Sequence, residues 1–167
     1  MRQLSESAGA PSAPTWRAHA AATAAVAVAA TTASIPSGGG SDWYRRLAKP
    51  AWQPPSWLFG AVWTPLYASI AYAGGRALAR ADGARRRHYA FSLGVNLAVN
   101  ASWSWLFFRF HRPWAAAAST LLLDISNADL VRRSARIDAT AARVLVPYAT
   151  WSLFATALSA DIAVRNT

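Results

Sequence analysis

The chain has 167 residues, 54% of them hydrophobic, with 17 Lys and Arg against 7 Asp and Glu, nine Trp and no Cys. The absence of thiols excludes disulfides, thiolate metal sites and Cys nucleophiles. The net charge of +10 lies between apolar runs and comes with no nucleic-acid motif, so it points to membrane topology and lipid head groups rather than to nucleic acid.

Residues 18–41, 50–75, 89–108 and 144–160 contain no Asp, Glu, Lys or Arg, and the run 113–131 is interrupted only by Asp124 and Asp129. A helix needs about 20 mostly apolar residues to cross a bilayer. The pattern therefore predicts an all-α fold, an integral membrane bundle of five transmembrane helices. Mean hydropathy is only +0.15, because the apolar residues are largely Ala and the loops are rich in Arg.

In chain order, residues 1–15 are rich in Ser, Pro and Ala and read as a disordered tail. The first apolar run, about 18–35, is either a membrane helix or the core of a signal peptide with Arg2 and Arg17 upstream. Residues 42–56 form a loop, since Pro50, Pro54 and Pro55 forbid continuous helix. That loop carries Trp43, Tyr44 and Trp52, so it is expected to pack rather than to lie in water. The remaining helices are predicted over 57–78, 89–108, 113–131 and 141–164. Pro65 should kink the second, and Pro113 suits the first turn of the fourth. Short connections make sequential helices antiparallel neighbours. The N-terminal side with the 76–87 and 132–143 loops holds 11 Arg, against 6 Lys and Arg on the other side. This bias predicts a cytoplasmic N-terminus.

Three predicted helices carry an aromatic stripe with polar groups. Asn96, Asn100, Trp103 and Phe107 follow at intervals of four, three and four, which places them on one face. Tyr148, Trp151, Ala155 and Ser159 share a face of the last helix, and Trp63 and Tyr67 lie one turn apart. Amides in a membrane helix need partners, so the Asn face turns into the bundle, either as glue between helices or as pocket lining. Asp124, mid-helix, is a functional candidate with Asn127 or an Asn of the third helix as its expected partner. Asp129 has Arg132 and Arg133 at surface-pair spacing. Gly74–Gly75 and Ala115–Ala118 would permit close helix contact, including that of a homodimer. His19, His88 and His111 are scattered, and no metal site, nucleophile constellation or phosphate loop is visible.

Several segments together resemble the TspO/MBR family of tryptophan-rich sensory and translocator proteins. They are W-Y-x-x-L-x-K-P-x-W-x-P-P at 43–55, F-G-x-V-W-T at 59–64, N-x-x-W-S-x-L-F-F at 100–108, H-R-P at 111–113 and L-V-P-Y-x-x-W-x-x-F-A-T-x-L at 145–158. They occur in the family's order from Trp43 to the C-terminus. The resemblance implies that the first run is a membrane helix of a five-helix bundle, often dimeric. It also implies a pocket for porphyrins (protoporphyrin IX or haem) or other flat, sterol-like apolar ligands, closed by the Trp/Pro-rich loop, with no covalent cofactor. By correspondence the pocket takes Tyr44, Trp63, Asn96, Trp103, Trp151 and Ala155, and the stripes and the loop add Trp52, Phe107 and Tyr148. Three activities are compatible with it: a membrane receptor or sensor, a light-dependent porphyrin-degrading enzyme using Trp63 and Trp151, and a transporter of porphyrins, sterols or lipids. The chain departs from the family at Ala61, where Pro is common, at Ser159, where Asn is common, and in carrying Asp124 and Asp129.

Overall fold

The computed structural model describes residues 15–37 and 42–167. Among the described residues there are six α-helices: α1 (Thr15–Ser34), α2 (Asp42–Arg46), α3 (Ser56–Arg80), α4 (Gly83–Ser104), α5 (Pro113–Ala135) and α6 (Ala139–Arg165). Apart from Thr15, which opens α1, the predicted tail lies outside the described residues. Five helices are long and correspond to the predicted ones, but α4 begins six residues before its expected start at 89 and α5 runs four residues past its expected end at 131. The 42–56 segment is not wholly irregular, because its first residues form the short α2. Pro65 and Pro147 sit inside otherwise continuous helices, and Pro113 occupies the first turn of α5 as expected.

Helix α4 does not run unchanged to residue 108. From Trp105 to Arg109 it widens into a π-helical turn, in which Phe110 N–H donates to the Trp105 carbonyl at 2.9 Å and Arg112 N–H to that of Leu106 at 2.9 Å. His111 then takes a positive φ of 53°, a conformation uncommon outside Gly. It turns the chain into α5 and lies stacked on Trp43, with ring centroids 4.3 Å apart. A sequence pattern of period 3.6 carries no sign of one extra residue per turn, so this feature was not predicted.

The long helices form a closed ring in the order α1, α3, α6, α5, α4. Sequential neighbours pack as expected at α1–α3, α4–α5 and α5–α6. The pair α3 and α4, joined by two residues, is the exception: α1 packs against both, and the two touch each other less extensively. Two glycines explain the α1–α3 contact. A Cβ on Gly75 would lie 2.3 Å from His19 Nδ1 and 2.9 Å from its Cα, and one on Gly74 would lie 3.4 Å from Ala22 Cβ. These glycines therefore permit close packing within the chain.

The interior mixes an apolar core with buried polar side chains, and large apolar residues also face outward. Asn96, Asn127, Ser134 and Ser152 are at most 2% exposed, whereas Val28, Phe91, Leu121, Leu122, Ile125 and Leu153 all face outward. Exposed apolar surface on this scale marks a lipid or protein contact. Among the described residues no helix is, by hydropathy, long and apolar enough to cross a membrane. The reason is compositional: much of each helix is Ala, and the buried Ser, Thr and Asn lower the mean hydropathy further. In length, helices of 20 to 27 residues reach about 30 to 40 Å at 1.5 Å per residue.

Candidate functional site

Two layers meet inside the ring. The inner layer is a chain of amides and phenols. Tyr67 OH donates to Asn100 Oδ1 at 3.0 Å, and Asn100 Nδ2 donates to the Tyr148 oxygen at 3.2 Å. Tyr148 OH donates to Asn96 Oδ1 at 3.0 Å, and Asn96 Nδ2 donates to Asn127 Oδ1 at 2.7 Å and to Ser126 Oγ at 3.1 Å. Four helices, α3, α4, α5 and α6, are tied in one line. Each link is interhelical, so the Asn stripe acts as glue between helices at its deep end. Trp63 lies on this layer, its ring 5.3 Å from Tyr67 and 6.2 Å from Tyr148.

The outer layer is aromatic. Trp103 stacks on Phe107 at 5.4 Å with 12° between the planes, and its indole N–H donates to Ser159 Oγ at 3.1 Å. Phe107, 2% exposed, meets the loop through the edges of Trp43 at 5.3 Å and Tyr44 at 6.2 Å. The hydroxyl of Tyr44 accepts from Gln53 Nε2 at 3.1 Å, and Lys49 Nζ lies 4.5 Å above the Tyr44 ring. Trp52 is the most exposed member, at 47%; it sits edge-on to Phe154 at 5.8 Å and donates to Asp161 Oδ2 at 3.1 Å. Trp151 joins the layers, with Phe59 at 6.1 Å and Phe154 at 4.9 Å. Ala155, half-buried, follows Trp151 on the same face of α6.

The nine predicted residues thus fall into one contiguous region: Trp63, Asn96 and Tyr148 deep, Trp103, Phe107, Trp151 and Ala155 midway, Tyr44 and Trp52 in the loop. The partners that hold this region were less visible in sequence. Trp43 and His111 brace the loop, and Trp105 anchors α1 by donating to the Thr32 carbonyl at 3.0 Å. Asp124 has a different partner from the one expected: its Oδ2 accepts from Thr156 Oγ1 at 2.7 Å, while Asn127 pairs with Asn96. Asp129 pairs with Arg132 and Arg133 as predicted.

Most buried polar atoms in the region are paired. Among the described residues Trp151 Nε1, Asn127 Nδ2, Ser152 Oγ, Asp124 Oδ1 and the loop's Gln53 Oε1 are buried without a partner, as is Arg76 Nε at the other end of the ring. An unpaired buried donor costs about 1 to 3 kcal/mol, so each marks a place where a ligand group or a water would be stabilising. The indole of Trp151 is the one among these with aromatic walls on two sides.

The opposite end of the ring is held by charge. Asp138 caps α6, its Oδ1 accepting from Ala141 N–H at 3.0 Å. Its Oδ2 receives Arg76 at 3.0 Å and Arg80 at 2.8 Å from the end of α3. Burial alone would raise the carboxyl pKa, but the Ala141 bond and the two guanidiniums outweigh it and hold Asp138 below the ordinary carboxylate range.

A helical ring with interhelical amide bonds in its core, large apolar residues on its outer surface and a Trp-rich end has the features of a membrane-embedded helical protein. The model of the TspO/MBR family matches residues 20–165, and the chain belongs to that family, whose members are membrane proteins. It is similar to the "Tryptophan-rich protein TspO" of Chlorobaculum tepidum, 35% identical over 131 residues, covering 75% of this chain and 80% of that one. It is also similar to the human "Translocator protein", 33% identical over 125 residues with 73% of each chain covered. The "Tryptophan-rich sensory protein" of Cereibacter sphaeroides is 31% identical over 118 residues, covering 71% of this chain and 73% of that one.

Proposed function

We propose that the protein is a multi-pass membrane receptor for flat aromatic ligands of the tetrapyrrole type, bound at the aromatic mouth between α3, α4, α6 and the Trp/Pro loop. The observation that carries this reading is the buried, unpaired indole N–H of Trp151 between Phe59 and Phe154. A macrocycle lying on such rings gains offset-stacking contact, and a single donor fixes its orientation. Ala155 adds a small side chain beside it. The deep amide chain keeps the helices in register and leaves the aromatic layer to meet the ligand.

Titration of the purified protein with protoporphyrin IX in detergent, in the dark, tests this. Quenching of Trp fluorescence should saturate near one ligand per chain. Partitioning that never saturates would remove porphyrin as the ligand. Repeating the titration under light separates receptor from enzyme: Trp63 and Trp151 both lie within the aromatic array, and bleaching of the porphyrin that disappears in Trp63→Phe/Trp151→Phe would establish degradation.

A further inference from the structure

At the end of the ring opposite the aromatic mouth, the start of α4 faces the end of α5. Two adjoining cavities open there, of 420 Å³ and 290 Å³. They share His88 and Arg133 and so form one groove; Arg85 and Arg136 line the larger part, Arg87 and Phe91 the smaller. Of the three carboxylates near this end, Asp82 before α4 makes no ion pair among the described residues, and the other two are engaged. Asp129 holds Arg132, Arg133 and the Ser92 hydroxyl, and Asp138 holds Arg76 and Arg80. Among the described residues Arg85, Arg87 and Arg136 make no ion pair, which leaves three uncompensated guanidiniums around the opening.

Below the charge the groove becomes apolar. Phe91 stands one turn after Arg87 on α4 and is 74% exposed, with Val95 a turn further on the same face. On α5, Leu122 and Ile125 also face outward, before the turn that carries Asp129. Guanidiniums above an apolar face at a helix end have the polarity of a phospholipid: a phosphate at the surface and acyl chain beneath. Guanidinium is suited to phosphate, which it binds through two parallel N–H donors. A free phosphate would make no use of Phe91 and Val95.

We propose that this groove is a binding site for an anionic glycerophospholipid, with Arg85, Arg87 and Arg136 on the phosphate and one acyl chain lying over Phe91 and Val95. The site is separate from the aromatic mouth, and its occupancy is independent of any tetrapyrrole.

Native mass spectrometry of the full chain in detergent, titrated with dioleoyl phosphatidylglycerol or dioleoyl phosphatidylcholine, tests the assignment. Phosphatidylglycerol should bind in preference. Arg85→Gln/Arg136→Gln should weaken it roughly 30-fold, the loss expected from two surface guanidiniums. Arg109→Gln/Arg112→Gln, at the aromatic end, should leave it unchanged. Phe91→Gln should weaken the lipid while inorganic phosphate at millimolar concentration fails to displace it. Equal binding of the two lipids, no effect of the Arg85/Arg136 pair, or equal loss in the Arg109/Arg112 pair would overturn the proposal. Displacement by inorganic phosphate would overturn it in favour of a free-anion site. Circular dichroism melting of each variant establishes that the comparison is between folded proteins.

Discussion

The two ends of the helical ring are ordered by different forces. At the loop end, order comes from ring contacts and indole or hydroxyl hydrogen bonds, and the unpaired buried groups there are neutral, the Trp151 donor and the Gln53 Oε1 acceptor. At the other end, order comes from a capping carboxylate that clamps two helices, and the unpaired groups are mainly cations. What each end leaves unpaired is what it offers a ligand: a stacking surface with one neutral donor in the first case, excess positive charge in the second. A flat apolar molecule suits the first, an anionic head group the second.

Substitutions can break one end without the other. The largest effect is expected from Gly75→Val. Its Cβ would meet His19 side chain and backbone, and overpacking that cannot relax costs about 3 kcal/mol or more. Thermal denaturation should show a large loss or no folded protein, because α1 packs against both α3 and α4.

Asp138→Ala should come next. It removes the α6 cap and leaves Arg76 and Arg80 facing each other, a loss of about 3 kcal/mol. The pH dependence has a defined sign. The folded carboxyl lies below its ordinary value of 3.8. Its stabilisation is therefore complete above that value and is lost as pH falls through the lower folded value. Melting followed from pH 6 downward should show this loss in the parent and not in Asp138→Asn.

Asn96→Ala should cost about 2 kcal/mol, since it breaks three links of the deep chain at the modest value of interhelical bonds in membranes. Equal destabilisation by Asn100→Ala, which breaks two, would show that the chain is not additive. The smallest effect is expected from Ser159→Ala, about 1 kcal/mol, from loss of the Trp103 bond, read as a shift in the fluorescence of the mouth without loss of fold.

The sequence stripes identified the inward faces because polar residues in a membrane helix have few other places to go. Asn96, Trp103, Tyr148 and Trp151 therefore came together as their spacing predicted. Partner choice was less legible. Asp124 bonds Thr156 and not an Asn, because helical spacing gives a residue's face but not the height at which the facing helix presents its side chains. The ring order was hidden for a similar reason: a two-residue connection between α3 and α4 implies close packing, and the approach of α1 to Gly74 and Gly75 limits their contact. The π turn at Trp105–Arg109 and the left-handed His111 are properties of the backbone between stripes, where apolar periodicity is silent.

The separation of the two ends is the central claim, and it is tested most directly by one comparison. Protoporphyrin IX is titrated into the parent, Trp151→Phe and Arg85→Gln/Arg136→Gln in the dark, following Trp fluorescence. The account predicts saturable binding that weakens about tenfold in Trp151→Phe, the worth of one hydrogen bond, and is unchanged in the arginine pair. Equal affinity in Trp151→Phe together with loss in the arginine pair would contradict it, since the porphyrin would then bind through its carboxylates at the basic end.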